Sequence, residues 1–187
     1  MINKYEKFLE EFEQSLSLIK KMQEKYVKCK KGCSLCCEQG QYPYSQIEFM
    51  YLTQGYVSLD EDKRIIVQNN INRILEDRKS NVSKDFEYKC PFLINNECSV
   101  YKYRGLVCRT FGLCYYDDKN ASVKLPDCVH YGLNYSDFYF DKDKILTVND
   151  VPKINLGVDA ILETELFQKY ELDHGEIRPM IEWLVQK

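Results

Sequence analysis

The sequence predicts an α+β fold, mainly helical, with a small β-hairpin and cysteine-rich loops. Three observations predict it. Apolar residues recur three or four apart near both ends of the chain, which is the period of a helix with one buried face. One central segment carries two short apolar runs around a pair of asparagines, a turn-prone arrangement. All nine cysteines lie between Cys29 and Cys128. At 187 residues the chain has the size of one domain, so a single domain over 1–187 is expected, with 29–128 as its cysteine-cluster region and helical flanks on both sides.

Taken in order, Ile2, Tyr5, Phe8, Leu9, Phe12, Leu16, Ile19, Met22 and Tyr26 predict one long amphipathic helix between Ile2 and Val27. The pattern stops between Lys28 and Gly40, where cysteines crowd around Gly32 and a loop or broken turn is expected. Ser45 and Glu48 have the spacing of a capping box, so a helix is predicted from Gln46 to Gln54, ended by Gly55. Asp60 and Glu61 open the next helix, whose inner face is expected to carry Ile65, Ile66, Ile71, Ile74 and Leu75. The stretch from Asn81 to Tyr88 is polar and aperiodic. Beyond it, Cys90-Pro-Phe-Leu and Cys98-Ser-Val-Tyr flank Ile94 to Glu97, and a short hairpin is predicted there. Tyr101 to Phe111 reads as one short helix ending near Gly112, followed by an irregular polar stretch with Cys114 and Cys128. Leu156 to Tyr170 and Glu176 to Val185 have helical patterning, with Pro179 placed in the first turn of the last helix.

Composition narrows the possible functions. A hydrophobic fraction of 44% with 29% charged residues suits a water-soluble globule, and a net charge of −3 leaves no broad positive field to attract nucleic-acid phosphates or an anionic membrane. No nucleic-acid partner and no membrane partner are expected. The opening residues MINKYEKFLEEFEQ scatter charge where a secretory signal needs an apolar run, so a cytoplasmic location is expected. Nine cysteines is an odd number, and disulfides are disfavoured in a reducing cytosol, so these thiols need another purpose.

Metal binding is the expected purpose, ahead of incidental buried thiols or a disulfide set. Four cysteines fall in Cys29-Lys-Lys-Gly-Cys33-Ser-Leu-Cys36-Cys37, and the Cys33-x2-Cys36 spacing can direct two sulfurs at one ion through a tight turn. Cys90, Cys98 and Cys108 are the distant suppliers that a tetrahedral or cluster site still requires. Adjacent Cys36 and Cys37 are expected to point in different directions, so that one of them packs as a buried thiol or serves a second ion. His130 and His174 are the only histidines, which makes the ligand set mostly or wholly sulfur and selects Zn2+ or an iron-sulfur cluster of the 4Fe-4S type over calcium or magnesium. His130 is a minor candidate, close behind Cys128. Arg104 and Arg109 flank Cys108 and could hold thiolate charge. The metal ion is thus the expected partner, with any protein partner left open.

Cys29-x3-Cys33-x2-Cys36 is similar in spacing to the radical S-adenosylmethionine enzymes, but a helix precedes it and Leu35 stands where that motif has an aromatic residue. The whole pattern resembles the YkgJ-type cysteine-cluster family, to which zinc or iron chelation is ascribed. Cys29, Cys33, Cys36 and Cys37 take the places of its C-x2-C-x2-C-C block, with one extra residue after Cys29. Its second block resembles Cys90-Pro-Phe-Leu, Cys98-Ser-Val-Tyr and Arg104-Gly-Leu-Val-Cys108-Arg109, with Gly105 in place of the usual proline. Ser45 and Glu48 resemble a serine and glutamate that follow the family's first block. The resemblance implies metal ligation by Cys29, Cys33, Cys36, Cys37, Cys90, Cys98 and Cys108. A more distant similarity to flagellin lysine N-methylases implies an enzyme as the alternative.

Overall fold

The computed structural model describes residues 1–30, 32–38, 40–81, 83, 86–140 and 154–185, so part of the polar Asn81–Tyr88 stretch lies outside the described residues. In chain order the helices and strands are α1 (Ile2–Gln23), α2 (Leu35–Glu38), β1 (Pro43–Ser45), α3 (Gln46–Val57), α4 (Glu61–Ser80), β2 (Leu93–Ile94), β3 (Glu97–Cys98), α5 (Leu106–Thr110), β4 (Tyr115–Asp117), β5 (Ser122–Lys124), α6 (Ser136–Phe140), α7 (Val158–Leu162), α8 (Glu165–Gln168), β6 (Ile177–Pro179) and α9 (Met180–Val185). Among the described residues the strands form antiparallel pairs, β1 with β6, β2 with β3 and β4 with β5. The fold is therefore mainly helical α+β with small hairpins and cysteine-rich loops. By packing, the chain divides into two compact units, Met1–Lys31 with Thr110–Asp173, and Gly32–Arg109 with His174–Lys187.

The first unit is built on α1. Its apolar stripe buries Tyr5, Phe8, Leu9, Phe12, Leu16 and Ile19, as the 3.6-residue period requires, while Met22 is exposed and Tyr26, the last residue of the predicted stripe, is buried in a 3-10 turn beyond the helix. Phe8 meets Phe167 of α8 edge-on with ring centroids 5.0 Å apart, and Glu11 pairs with Lys169 at 2.8 Å. The single helix predicted from Leu156 to Tyr170 is broken at Thr164, whose hydroxyl accepts the Phe167 N–H and caps α8 as a separate helix. Gln23 is fully buried because its amide is satisfied. Its side chain donates to the Cys114 carbonyl at 2.9 Å and accepts the Cys114 N–H at 3.1 Å and the Tyr135 hydroxyl. Cys114, Tyr26, Val129 and Tyr135 form a small buried cluster there. The segment predicted to be irregular holds the β4–β5 hairpin, whose turn is stabilised by the Asp117 carboxylate accepting from Lys119 N and Asn120 Nδ2.

The second unit is built on α3 and α4. The capping box forms as predicted. Ser45 Oγ accepts the Glu48 N–H, and Glu48 Oε2 accepts the Ser45 N–H at 2.9 Å and its hydroxyl at 2.7 Å. Gly55 does not end α3, which continues to Val57. A Cβ at Gly55 would stand 2.6 Å from Cγ of Tyr103, so this glycine admits the ring of Tyr103 against the helix. Asp60 caps α4 by accepting the Lys63 N–H at 2.9 Å. The buried face of α4 is Val67, Ile71 and Ile74, and the expected inward residues Ile65 and Ile66 are exposed, since that face turns away one residue further along.

Two further expectations change here. Tyr101 to Phe111 is a 3-10 turn at Tyr101–Tyr103 followed by α5, because Arg104 is extended with ψ of 149° and interrupts the helix. Glu176 to Val185 begins as strand β6, with Pro179 pairing to Pro43 in the β1–β6 register, and only Met180–Val185 is helical. A proline fits at that position because it ends a short strand in a two-stranded sheet.

Candidate metal centre

Two backbone contacts join the cysteine blocks. The Cys90 N–H donates to the Cys37 carbonyl at 2.8 Å, and the Tyr88 N–H donates to the Gly40 carbonyl at 3.2 Å. Lys89 reinforces them by pairing with Glu38 of α2 at 2.8 Å, and Glu38 also accepts the Ser34 hydroxyl. From beneath, the buried Tyr42 hydroxyl reaches the Cys36 carbonyl at 3.3 Å. Thus α2, which carries Cys36 and Cys37, is held against the segment that carries Cys90.

The hairpin places Cys98. Asn95 and Asn96 both take positive φ, 50° and 62°, the pairing that a two-residue turn of matching twist requires, and Leu93 lies opposite Cys98. The Leu93 N–H turns back to the Cys90 carbonyl at 3.1 Å, and Asn70 of α4 holds the Pro91 carbonyl at 3.0 Å.

Cys108 is placed by the start of α3. A helix N-terminus leaves backbone N–H groups without partners. At α5 the Glu48 carboxylate accepts the Leu106 N–H at 2.7 Å, and the Tyr44 hydroxyl accepts the Gly105 N–H at 3.0 Å. Tyr44 is set in turn by the β1–β6 pairing and by Trp183, whose indole donates to the Tyr44 carbonyl at 2.9 Å. The Tyr44 hydroxyl lies 3.6 Å from Cys108 Sγ.

Five sulfurs interact electrostatically within this unit: Cys36, Cys37, Cys90, Cys98 and Cys108. The hydrogen bond from Cys37 lowers Cys36 to about 7, and the same bond, with burial, pushes Cys37 far up. Burial raises Cys90, with the neighbouring Cys108 charge adding to it. Burial likewise raises Cys98, opposed by the nearby Arg104, and pushes Cys108 up to about 12 against the pull of the Tyr44 hydrogen bond. Glu48 is raised by burial, which its bonds to Leu106 and Ser45 and the charge of Arg109 oppose. Apart from Cys36, the set resists ionising by itself, since burial and neighbouring thiolate charge both keep the protons on, and a bound cation offsets both penalties.

The donor chemistry fits a soft metal. Adjacent cysteines were expected to point apart, yet Cys36 Sγ and Cys37 Sγ are 4.0 Å apart. A zinc ion with Zn–S bonds of ~2.3 Å sets its tetrahedral sulfurs ~3.8 Å apart, so this pair is close to the edge of such a site. Among the described residues no group of three or more His, Cys, Asp or Glu side chains is already close enough to hold an ion. Closing the centre therefore requires the sulfurs to move toward one point.

The remaining sequence candidates are placed as follows. Cys33 is exposed on the loop before α2. Cys29 is exposed in the first unit, where its N–H and that of Lys28 donate to the buried Asn134 Oδ1 at 3.0 and 2.7 Å. Cys114 is fully buried, and exposed His130 stacks edge-on against Tyr139. Arg104 does favour the Cys98 thiolate and lies 3.8 Å over the Tyr101 ring, while Arg109 donates to the carbonyls of Arg104 and Lys102. Tyr44 and Asn134 were missed by sequence reasoning, which had no local signal for either.

Half-buried soft donors on α2, on the hairpin and on α5, with a tyrosine hydroxyl beside Cys108, define a cysteine-cluster metal-binding protein. The chain belongs to the CxxCxxCC family, described as "Putative zinc- or iron-chelating domain", whose model matches residues 28–131. No characterised protein and no solved structure matches the chain significantly. Among the described residues no helix is long and apolar enough to cross a membrane.

Proposed function

We propose that Cys33, Cys36, Cys37, Cys90, Cys98 and Cys108 supply the ligands of one metal centre, zinc or an iron-sulfur cluster, in a module of the reducing cytoplasm. The observation that carries this reading is the pair of sulfurs of Cys36 and Cys37, 4.0 Å apart, on a segment tied to Cys90 by the Cys90–Cys37 backbone bond. When bound, zinc would cross-link the unit and a cluster would carry electrons. The chain's own residues hold α2 against the Cys90 segment, fix the hairpin that bears Cys98 and satisfy the start of α5.

The test is the metal and acid-labile sulfide content of protein purified without oxygen, with its absorption spectrum. Iron, sulfide and a broad band near ~400 nm identify a cluster. Stoichiometric zinc without colour identifies a closed structural site. Cys29 belongs to the other unit, and Cys29→Ser decides its part: retained metal confines the centre to the six, whereas lost metal adds Cys29 to it.

A further inference from the structure

Tyr44 is almost wholly buried, and its hydroxyl has two neighbours of different character, the Gly105 N–H at 3.0 Å and the Cys108 sulfur at 3.6 Å. A tyrosine hydroxyl has one proton to give and lone pairs to receive. The Gly105 N–H can only donate, so it occupies a lone pair of the tyrosine oxygen. The proton is then left to point at Cys108, and a metal-bound thiolate, having no proton of its own, can only accept it.

Glycine at 105 makes this contact possible in two ways. It supplies the N–H that a proline would lack. It also leaves room for the ring, since a Cβ at Gly105 would stand 2.7 Å from Tyr44 Cζ and 3.0 Å from Glu48 Oε1. The backbone of Tyr44 is fixed independently by β1–β6 and by Trp183, and its ring packs against Gly105, so less of the hydroxyl's order has to be gained when metal binds.

We propose that the Tyr44 hydroxyl, oriented by the Gly105 N–H, donates a hydrogen bond to the Cys108 thiolate and so tunes the sulfur's electron donation to the metal. This rests on the metal reading above. Tyr44 is a positioning and tuning residue, not a ligand. Hydrogen bonds to ligating sulfurs withdraw electron density from them and, at metal sites generally, loss of such an outer partner weakens metal binding about 10- to 100-fold.

The experiment loads the full chain with Co2+ and records the thiolate-to-cobalt charge-transfer band, with Zn2+ affinity measured by chelator competition. Tyr44→Phe removes one oxygen. It is expected to bind cobalt in the wild-type ratio, to shift the band to lower energy because the sulfur lone pair is no longer stabilised, and to bind Zn2+ about 10- to 100-fold more weakly. Tyr56→Phe serves as the control, removing a hydroxyl of the same unit that donates to Gln68, and should leave the band in place. An unmoved band in a cobalt-loaded Tyr44→Phe chain, or an equal shift in Tyr56→Phe, overturns the tuning role while leaving the metal reading intact. No thiolate band in the wild-type chain overturns the metal reading and the inference together.

Discussion

Both units contain cysteines, and they use them in opposite ways. In the unit of Gly32–Arg109 with His174–Lys187, five thiols from α2, the hairpin and α5 raise or lower one another's ionisation. In the unit of Met1–Lys31 with Thr110–Asp173, Cys114 is packed among Tyr26, Val129 and Tyr135, its backbone held by Gln23. A buried cysteine in apolar company is a small hydrophobe, and one among other thiols is a potential ligand. On the proposed assignment the cysteine count therefore exceeds the ligand set, and the neighbours of each sulfur separate the two kinds.

The largest effect that sharpens this contrast is metal removal. Stripping the metal should lower stability by about 4 kcal/mol when free metal has stood at a thousand times its Kd, read as a fall in Tm on adding chelator. Metal uptake should also release protons and tighten as pH rises, because Cys108, Cys90 and Cys98 are held protonated in the metal-free chain; proton release on titration with zinc measures it.

Next comes Glu48→Gln. The amide keeps one acceptor for Leu106 but cannot accept both the Ser45 N–H and the Ser45 hydroxyl, so a buried donor loses its partner. Chemical denaturation should show a loss of about 1–3 kcal/mol. Raising pH should separate the thiols further. Cys108 is raised from 9.0 to about 12, so in the metal-free fold the unfolded chain sheds that proton first. Its contribution is complete below pH 9 and is lost as pH climbs toward 12, and a Cys108→Ser chain should show a shallower decline over that window.

Cys36 should differ from its companions in reactivity rather than stability. With its ionisation lowered by the Cys37 hydrogen bond, it should be alkylated by iodoacetamide at a lower pH than Cys37, Cys90, Cys98 or Cys108. The smallest effect is expected at the hairpin, where Asn96→Ala places an ordinary side chain at φ of 62° and should cost about 1–2 kcal/mol in denaturation.

What could be read from the sequence were features whose causes are local. Ser45 with Glu48 caps a helix within one turn, and Asn95 with Asn96 makes a hairpin within four residues, so both were legible. The two matched cysteine blocks were legible as motifs. Illegible were contacts made by distant segments: β1 with β6, Gly55 beneath Tyr103, and the Tyr44 hydroxyl beside Cys108, 64 residues away. Gly55 reads as a helix terminator until the ring that needs its missing Cβ is known. The break before α5 was equally hidden, since the N–H of Gly105 is satisfied by a tyrosine from another element.

The most direct measurement compares metal content in Cys108→Ser and Cys114→Ser, each purified without oxygen beside the wild-type chain. The expected result is loss of metal from Cys108→Ser and full metal in Cys114→Ser, the latter losing about 1–3 kcal/mol of stability from burying a hydroxyl at a fully buried site. Equal metal in all three proteins would contradict the assignment of the centre to the thiols gathered by α2, the hairpin and α5.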